Sequence, residues 1–175
     1  MNAELQSRQE QIVEEFSFYE DWMEKYEQLI DMGKELAVLS DEHRQDEHLI
    51  RGCQSRVWLS ATRTEEKHVR FYADSDAIIT KGLVALMVRV LDGLPAKDIA
   101  ESDLWFIEKI GLDKHLSPTR ANGLHSMVQQ MKRYGVAFQA KGALARSGTR
   151  ILFSCDFLQV ITKFLELTPL QPEKA

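Results

Sequence analysis

The cysteine at residue 53 is the side chain best suited by type and setting to do chemistry. It lies in the stretch LIRGCQSRVWLS, residues 49–60, between a glycine and the start of an alternating apolar segment. Gly52 has no Cβ atom and permits a sharp turn, which predicts that Cys53 is presented at the tip of a loop. The thiolate is the reactive form of cysteine, and Arg51 and Arg56 are expected to favour it.

A structural role is the alternative for Cys53, because unpaired cysteines are often buried and then act as small hydrophobic residues. The polar and charged neighbours favour reactivity, but residue types alone leave both interpretations open. The second cysteine, Cys155, is flanked by Phe153 and Phe157, which predicts a buried structural residue. Two cysteines in such different surroundings, with no signal-peptide pattern at the start, predict a cytoplasmic protein with reduced thiols.

Alternating hydrophobicity predicts the strand that anchors the loop. Val57, Leu59 and Ala61 alternate with more polar residues, and a second alternating run covers 68–73 after the polar turn TRTEEK. These two runs predict an antiparallel hairpin.

Helices are predicted on both sides of this hairpin. The first covers 4–16, and the second begins after a capping Asp21 and ends at Gly33. Asp74, Ser75 and Asp76 of the sequence DSDA are each expected to be suited to cap a third helix, whose wide apolar face predicts the buried spine of the domain. A long helix is expected to start at Pro118. This segregation of strands and helices predicts an α+β fold with a small antiparallel sheet packed against helices.

Composition limits the classes of partner. The chain has 175 residues, enough for a core without disulfides or metal, and 22 basic against 27 acidic residues. This balance argues against nucleic-acid binding, which needs a concentrated positive surface. No apolar run reaches the roughly 20 residues that span a bilayer, so no membrane association is expected.

The run DEHRQDEH, 41–48, is rich in residues that could bind a metal. Its two histidines are five residues apart, a spacing that places them on neither one helix face nor one strand face. Short charged runs are usually solvated loops, so no metal site is predicted.

Three stretches together carry a resemblance to a known family. GCQSRVW at 52–58, DSDAIITKGLVALM at 74–87 and HLSPTRANGL at 115–124 resemble the signature stretches of the SufE family, which includes CsdE. They occur in the family's order, and the resemblance extends from the first helix to about Tyr134. It implies a fold shared with the scaffold protein IscU.

The resemblance also implies a function. SufE proteins accept persulfide sulfur from a cysteine desulfurase of the SufS or CsdA kind and deliver it to a scaffold complex for iron–sulfur cluster assembly. By position, Cys53 matches the family's persulfide-carrying cysteine, and Arg120 matches an arginine near the partner-facing surface. Pyridoxal phosphate is expected only in the desulfurase, so this chain is expected to hold no cofactor. A monomer or weak homodimer is expected.

Such chemistry needs one nucleophilic cysteine and no general base, because it follows the pattern of thiol–disulfide exchange. Gln54 and Ser55 are candidates to hydrogen-bond either sulfur. For Ser55 and Arg56, a place at the strand edge facing solvent is an equal alternative. Since a persulfide is easily oxidised or reduced, the loop is expected to switch between a sheltered and an exposed position at the Gly52 hinge.

The last part of the chain departs from the family pattern. Residues 1–137 are predicted to form the SufE-like domain, and residues 138–175 a C-terminal extension with an amphipathic helix around Val160.

Two other functions stay open beside the sulfur acceptor. One is a thiol redox protein that uses Cys53, with Cys155 as a resolving cysteine if the fold brings the two close. The other is an adaptor that binds a desulfurase or scaffold while Cys53 remains buried and inert.

Overall fold

The computed structural model describes residues 2–146. Within this range, seven helices and two strands follow in the order α1 (Ala3–Ser17), α2 (Trp22–Glu35), β1 (Val57–Arg63), β2 (Val69–Ser75), α3 (Ile78–Leu91), α4 (Ala96–Ala100), α5 (Phe106–Lys109), α6 (Leu112–His115) and α7 (Pro118–Arg146). A 3₁₀ turn, Asp46–His48, precedes β1. The strands pair antiparallel, with Val57 opposite Ser75 and Arg63 opposite Val69. The predicted α+β class and the hairpin are therefore confirmed.

Helix α3 is the centre of the core. Its buried residues surround the helix axis instead of forming one stripe, which is typical of a helix covered on all sides. Helix α2, the sheet and α1 pack against it. The buried-spine prediction is confirmed. The expected cap is wrong, because the N-cap is Ala77 without a side-chain hydrogen bond, and Asp74 and Ser75 belong to β2.

Two glycines allow α2 and α3 to approach closely. A Cβ atom on Gly82 would collide with the Leu29 carbonyl oxygen, and one on Gly33 would lie 3.0 Å from the Gly82 nitrogen. The prediction that Gly33 ends α2 is wrong, since the helix continues to Glu35. Gly33 serves helix packing instead.

The charged run 41–48 covers the outer face of the sheet. The His43 ring stacks on Tyr72 with centroids 4.1 Å apart, and its Nδ1 atom lies 2.8 Å from the Ser60 hydroxyl. Ser60 is consequently buried although it points away from the main core. The expectation of a solvated loop is wrong for His43, which is half-buried, but six of the eight residues of the run are exposed.

Asp74 is the buried anion of the same face. Its carboxylate, 3% exposed, pairs with Arg44 and with Lys81, whose Nζ lies 2.9 Å away. The carboxylate also accepts the Ser75 N–H at 2.8 Å. Two cations and a backbone donor thus compensate for its removal from water.

Helix α7 begins at Pro118, as predicted, and continues to Arg146. It therefore runs across residue 137, the predicted end of the SufE-like domain; that boundary stays a prediction. Cys155 and the predicted helix around Val160 lie outside the described residues. Within residues 2–146, no helix is long and apolar enough to cross a membrane.

We expect Gly82→Ala to destabilise the protein, because its methyl group would force α2 and α3 apart. The free energy of unfolding should fall by about 1–3 kcal/mol, measured by urea denaturation. Gly123→Ala is the matched control, since its Cβ would lie 3.5 Å from its nearest neighbour and Ala favours a helix by up to about 1 kcal/mol. Equal stability of the two variants would contradict the tight crossing.

Candidate functional site: the Cys53 loop

The Cys53 loop, residues 51–55, is closed at its base by backbone hydrogen bonds. The Ile50 N–H donates to the Val57 carbonyl at 2.8 Å, and Leu49 forms an isolated bridge with Trp58. The chain therefore enters and leaves the loop at adjacent points beside the start of β1.

The far end of the loop is fixed to the end of β2 through Arg56. The Arg56 N–H donates to Asp76 Oδ1 at 3.0 Å. Its carbonyl accepts from the Asp76 N–H at 3.2 Å and from the Ser75 hydroxyl at 3.0 Å. Three hydrogen bonds thus fix the position of Arg56 relative to the end of β2.

The tip of the loop rests on α7. Gly52 has a φ of 93°, which favours glycine, and a Cβ atom there would lie 2.9 Å from Ser126 Oγ. Cys53 Sγ lies 3.6 Å from the Gly123 carbonyl oxygen. Gly52 therefore permits the turn, as predicted, and leaves room for the Ser126 hydroxyl of the helix.

Cys53 is half-buried, and burial raises the pKa of its thiol. Its S–H can donate to the Gly123 carbonyl, and an acceptor of this kind also favours the protonated form. In this conformation the protonated thiol is therefore favoured over the thiolate.

The arginines do not act on the thiol as expected. The Arg56 guanidinium pairs with Asp46 at 3.0 Å and lies over the Trp58 ring, and Arg51 is exposed. Since burial raises the thiol pKa, the expected stabilisation of the thiolate by these two residues is not met in this loop position.

Of the other predicted site residues, Gln54 and Ser55 belong to the Cys53 loop itself, and Arg120 lies on α7. Gln54 is exposed, and Ser55 accepts a hydrogen bond from the Thr80 hydroxyl at 3.4 Å. Arg120 is exposed in the first turn of α7, three residues before Gly123, so it lies about one turn from the Cys53 contact. Their roles stay predictions.

Sequence reasoning missed three residues that contact the loop, namely Gly123 and Ser126 of α7 and Asp76 between β2 and α3. Gly123 gave one usable signal, because a glycine inside a helix costs about 1 kcal/mol relative to alanine and often marks a close contact. Neither Ser126 nor Asp76 has a local pattern that would reveal a partner far away in the sequence.

No metal site is formed by the residues that the structure describes, because they contain no group of three or more histidine, cysteine or carboxylate side chains suitably placed. His43 and His48 are instead engaged in the cover of the sheet and in a contact between the His48 ring and the His43 carbonyl at 3.0 Å.

A comparison with known protein families shows which family the chain belongs to. The model of the SufE family, described as an Fe-S metabolism associated domain, matches residues 10–135. The chain belongs to the SufE family. All three motifs, with Cys53 and Arg120, lie inside the matched region, and membership assigns this SufE-family chain a role in Fe–S metabolism.

Two relatives of the SufE-family chain agree with this. It is 38% identical over 139 residues to SufE-like protein 1, chloroplastic/mitochondrial, of Arabidopsis thaliana, covering 79% of this chain but 38% of that protein. It is 42% identical over 128 residues to an uncharacterized SufE-like protein of Rhizobium etli, covering 70% of this chain and 86% of the relative. The chain thus spans well under half of the plant protein.

One solved structure shares the fold. The solution structure of a hypothetical protein from Thermus thermophilus aligns with a TM-score of 0.64 at 18% identity. The alignment covers 76% of this chain and 96% of the other. At this identity the likeness concerns the fold alone.

We expect Gly52→Ala to release the loop from α7. The added Cβ meets Ser126 Oγ, and the positive φ costs about 1–2 kcal/mol for a non-glycine residue. The free energy of unfolding should fall by a similar amount in urea denaturation. Ser126→Ala, which removes the obstructing hydroxyl, should restore part of the loss in the double variant; no recovery would contradict the contact.

The pH dependence of thiol alkylation should report the burial of Cys53. Because the pKa is raised, the thiolate fraction near pH 7 is lower than for an exposed cysteine, and the rate should increase only at higher pH. Iodoacetamide rates, measured by mass spectrometry on the tryptic peptide of residues 52–56, should have their midpoint above that of the urea-unfolded chain. A midpoint at or below the unfolded value would contradict the described environment.

Proposed function

We propose that Cys53 accepts sulfur as a persulfide from a cysteine desulfurase of the SufS or CsdA kind, stimulates that enzyme, and passes the sulfur on for iron–sulfur cluster assembly. The proposal is supported by family membership and by one observation above all. The cysteine sits at the tip of a loop whose base is fixed by hydrogen bonds while its sulfur is held by a weak contact.

The chemical step is an exchange at sulfur. The Cys53 thiolate attacks the outer sulfur of the donor persulfide, and a new S–S bond forms while the bond to the donor cysteine breaks. The donor cysteine leaves as a thiolate. Electrons balance without an external oxidant or reductant, so the acceptor needs a mobile nucleophile and no redox group of its own.

The loop geometry favours a swinging acceptor. The Cys53 sulfur is half-buried, whereas its neighbours Gly52 and Gln54 are exposed. A partner that binds the exposed neighbours can draw the sulfur outwards, because the hinge at Gly52 tolerates large changes in backbone angles. The same movement would take the thiol out of the environment that raises its pKa.

An adaptor with an inert Cys53 is the second candidate, and the raised thiol pKa is the observation in its favour. The redox alternative depends on Cys155, which lies outside the described residues. The predicted scaffold partner, the oligomeric state and the cytoplasmic location stay predictions. The name of the Arabidopsis relative refers to chloroplasts and mitochondria for that protein.

Cys53→Ser should abolish sulfur loading, because serine cannot form a persulfide. Incubation with a cysteine desulfurase and L-cysteine should add whole sulfur atoms to the intact mass of the wild type, reversibly with reductant. Cys155→Ser is the matched control and should load like the wild type.

Loading that persists in Cys53→Ser, or a wild type that gains no sulfur, would exclude the acceptor function. Binding of the desulfurase by both proteins without any loading would favour the adaptor.

A further inference from the structure

We propose that the α1–α2 corner, residues 14–27, is a docking surface for a basic segment of a partner protein, rich in lysine or arginine and carrying apolar side chains. The inference goes beyond the proposed function, because it concerns the two N-terminal helices and not the Cys53 loop. Two features of the corner support it: exposed apolar side chains and a local excess of negative charge.

Two large apolar side chains at the corner face solvent. Phe18, the C-cap residue of α1, is 75% exposed, and Met23 in the first turn of α2 is 68% exposed. Only four residues separate them in the chain, and two of these, Tyr19 and Trp22, add half-buried aromatic rings. Exposed apolar groups that lie together, unlike single ones, mark interaction sites.

The net charge of the chain falls on the same corner. Residues 14–27 contain six acidic residues and one basic residue, which gives a formal charge of −5. The other 161 residues contain 21 acidic and 21 basic residues, so their formal charges cancel. The corner is therefore the acidic part of an otherwise balanced chain.

Most of these carboxylates have no cation beside them. Of the six, only Glu15 lies within 4 Å of a basic nitrogen in residues 2–146, that of Arg89. Asp21 and Glu24 accept backbone N–H groups at the start of α2 instead. The corner therefore attracts cations, over a distance of about 10 Å at 0.1 M salt.

An aromatic ring of the corner gives a second way to bind a cation. Lys25 Nζ lies 5.0 Å from the centre of the Trp22 ring, within the range of a cation–π interaction. The same ring is stacked on His115 with centroids 4.0 Å apart, which fixes its orientation. Carboxylates and ring faces together suit lysine and arginine side chains, while Phe18 and Met23 suit apolar ones.

Three other occupants fit this surface less well. In a symmetric pair of two copies, the corner would face a second charge of −5. An anionic membrane would be repelled by the same carboxylates. Segment 147–175 of the chain contains three basic and three acidic residues, so its charge does not complement the corner. A basic protein segment is therefore the occupant that the charge favours.

The experiment measures, by fluorescence anisotropy, how a labelled amphipathic helix of leucine and lysine binds the full chain in about 0.1 M salt. The wild type should bind this peptide and should not bind the same peptide with glutamate in place of lysine. Phe18→Ser combined with Met23→Ser should weaken binding about tenfold, because both apolar anchors are lost. Glu14→Lys combined with Glu27→Lys should weaken it to a similar extent, because the attraction becomes repulsion.

Two double variants outside the corner are the matched controls. Val38→Ser combined with Ile78→Ser removes two exposed apolar side chains elsewhere on the surface. Glu65→Lys combined with Glu66→Lys makes the same change in net charge in the turn between β1 and β2. Both should bind the basic peptide like the wild type, and circular dichroism verifies that all variants are folded.

A wild type that does not bind the basic peptide, or that binds both peptides equally, would overturn the proposal. Equal losses in the corner variants and their controls would also overturn it. So would binding to phosphatidylserine vesicles, or a dimer of the wild type, that the corner variants lose, because the occupant would then be a membrane or a second copy.

Discussion

The hydrogen bond between the Ile50 N–H and the Val57 carbonyl closes the Cys53 loop, and the rest of the site depends on this closure. It joins the loop to a hairpin whose inner face is packed on α3. With its base fixed, the short Cys53 loop can adopt few conformations. The tip of the loop reaches the first turns of α7. Arg56, bound to Ser75 and Asp76, fixes the other end.

The position of the sulfur is a compromise between protection and reactivity. A fully exposed cysteine would ionise more readily but would be open to oxidation, whereas a fully buried one could not meet a partner. Cys53 lies between these extremes, because its side chain is half-buried against the hydrophobic core and its sulfur lies beside the Gly123 carbonyl of α7. In the proposed swing of the loop, the hydrogen bonds at its base would stay intact.

Local patterns in the sequence were sufficient for the elements but not for their long-range contacts. Alternation predicted the hairpin, and the wide apolar face of α3 predicted its burial. The outer face of β1 carries the more polar half of the alternation, yet Trp58 and Ser60 are buried beneath the run 41–48. That cover depends on stacking and pairing between segments that no local periodicity records.

In the functional site, too, local sequence patterns revealed some residues, whereas long-range contacts did not show in the sequence. Gly52 and Cys53 were recognisable because a glycine before a cysteine has a local meaning. The contact with Gly123 joins residues 70 positions apart, so its effect on the thiol could not be read from the flanking arginines. Of those arginines, Arg56 is already paired with Asp46.

The isolated bridges of the hairpin also limit how another protein can attach. Leu49 occupies the free edge of β1 at Trp58, and Pro95 occupies the edge of β2 at His68. Backbone groups at these points are already engaged, so an incoming strand cannot pair with the sheet there. The two blocked points lie at opposite ends of the hairpin, Trp58 beside the base of the Cys53 loop and His68 beside the turn between β1 and β2.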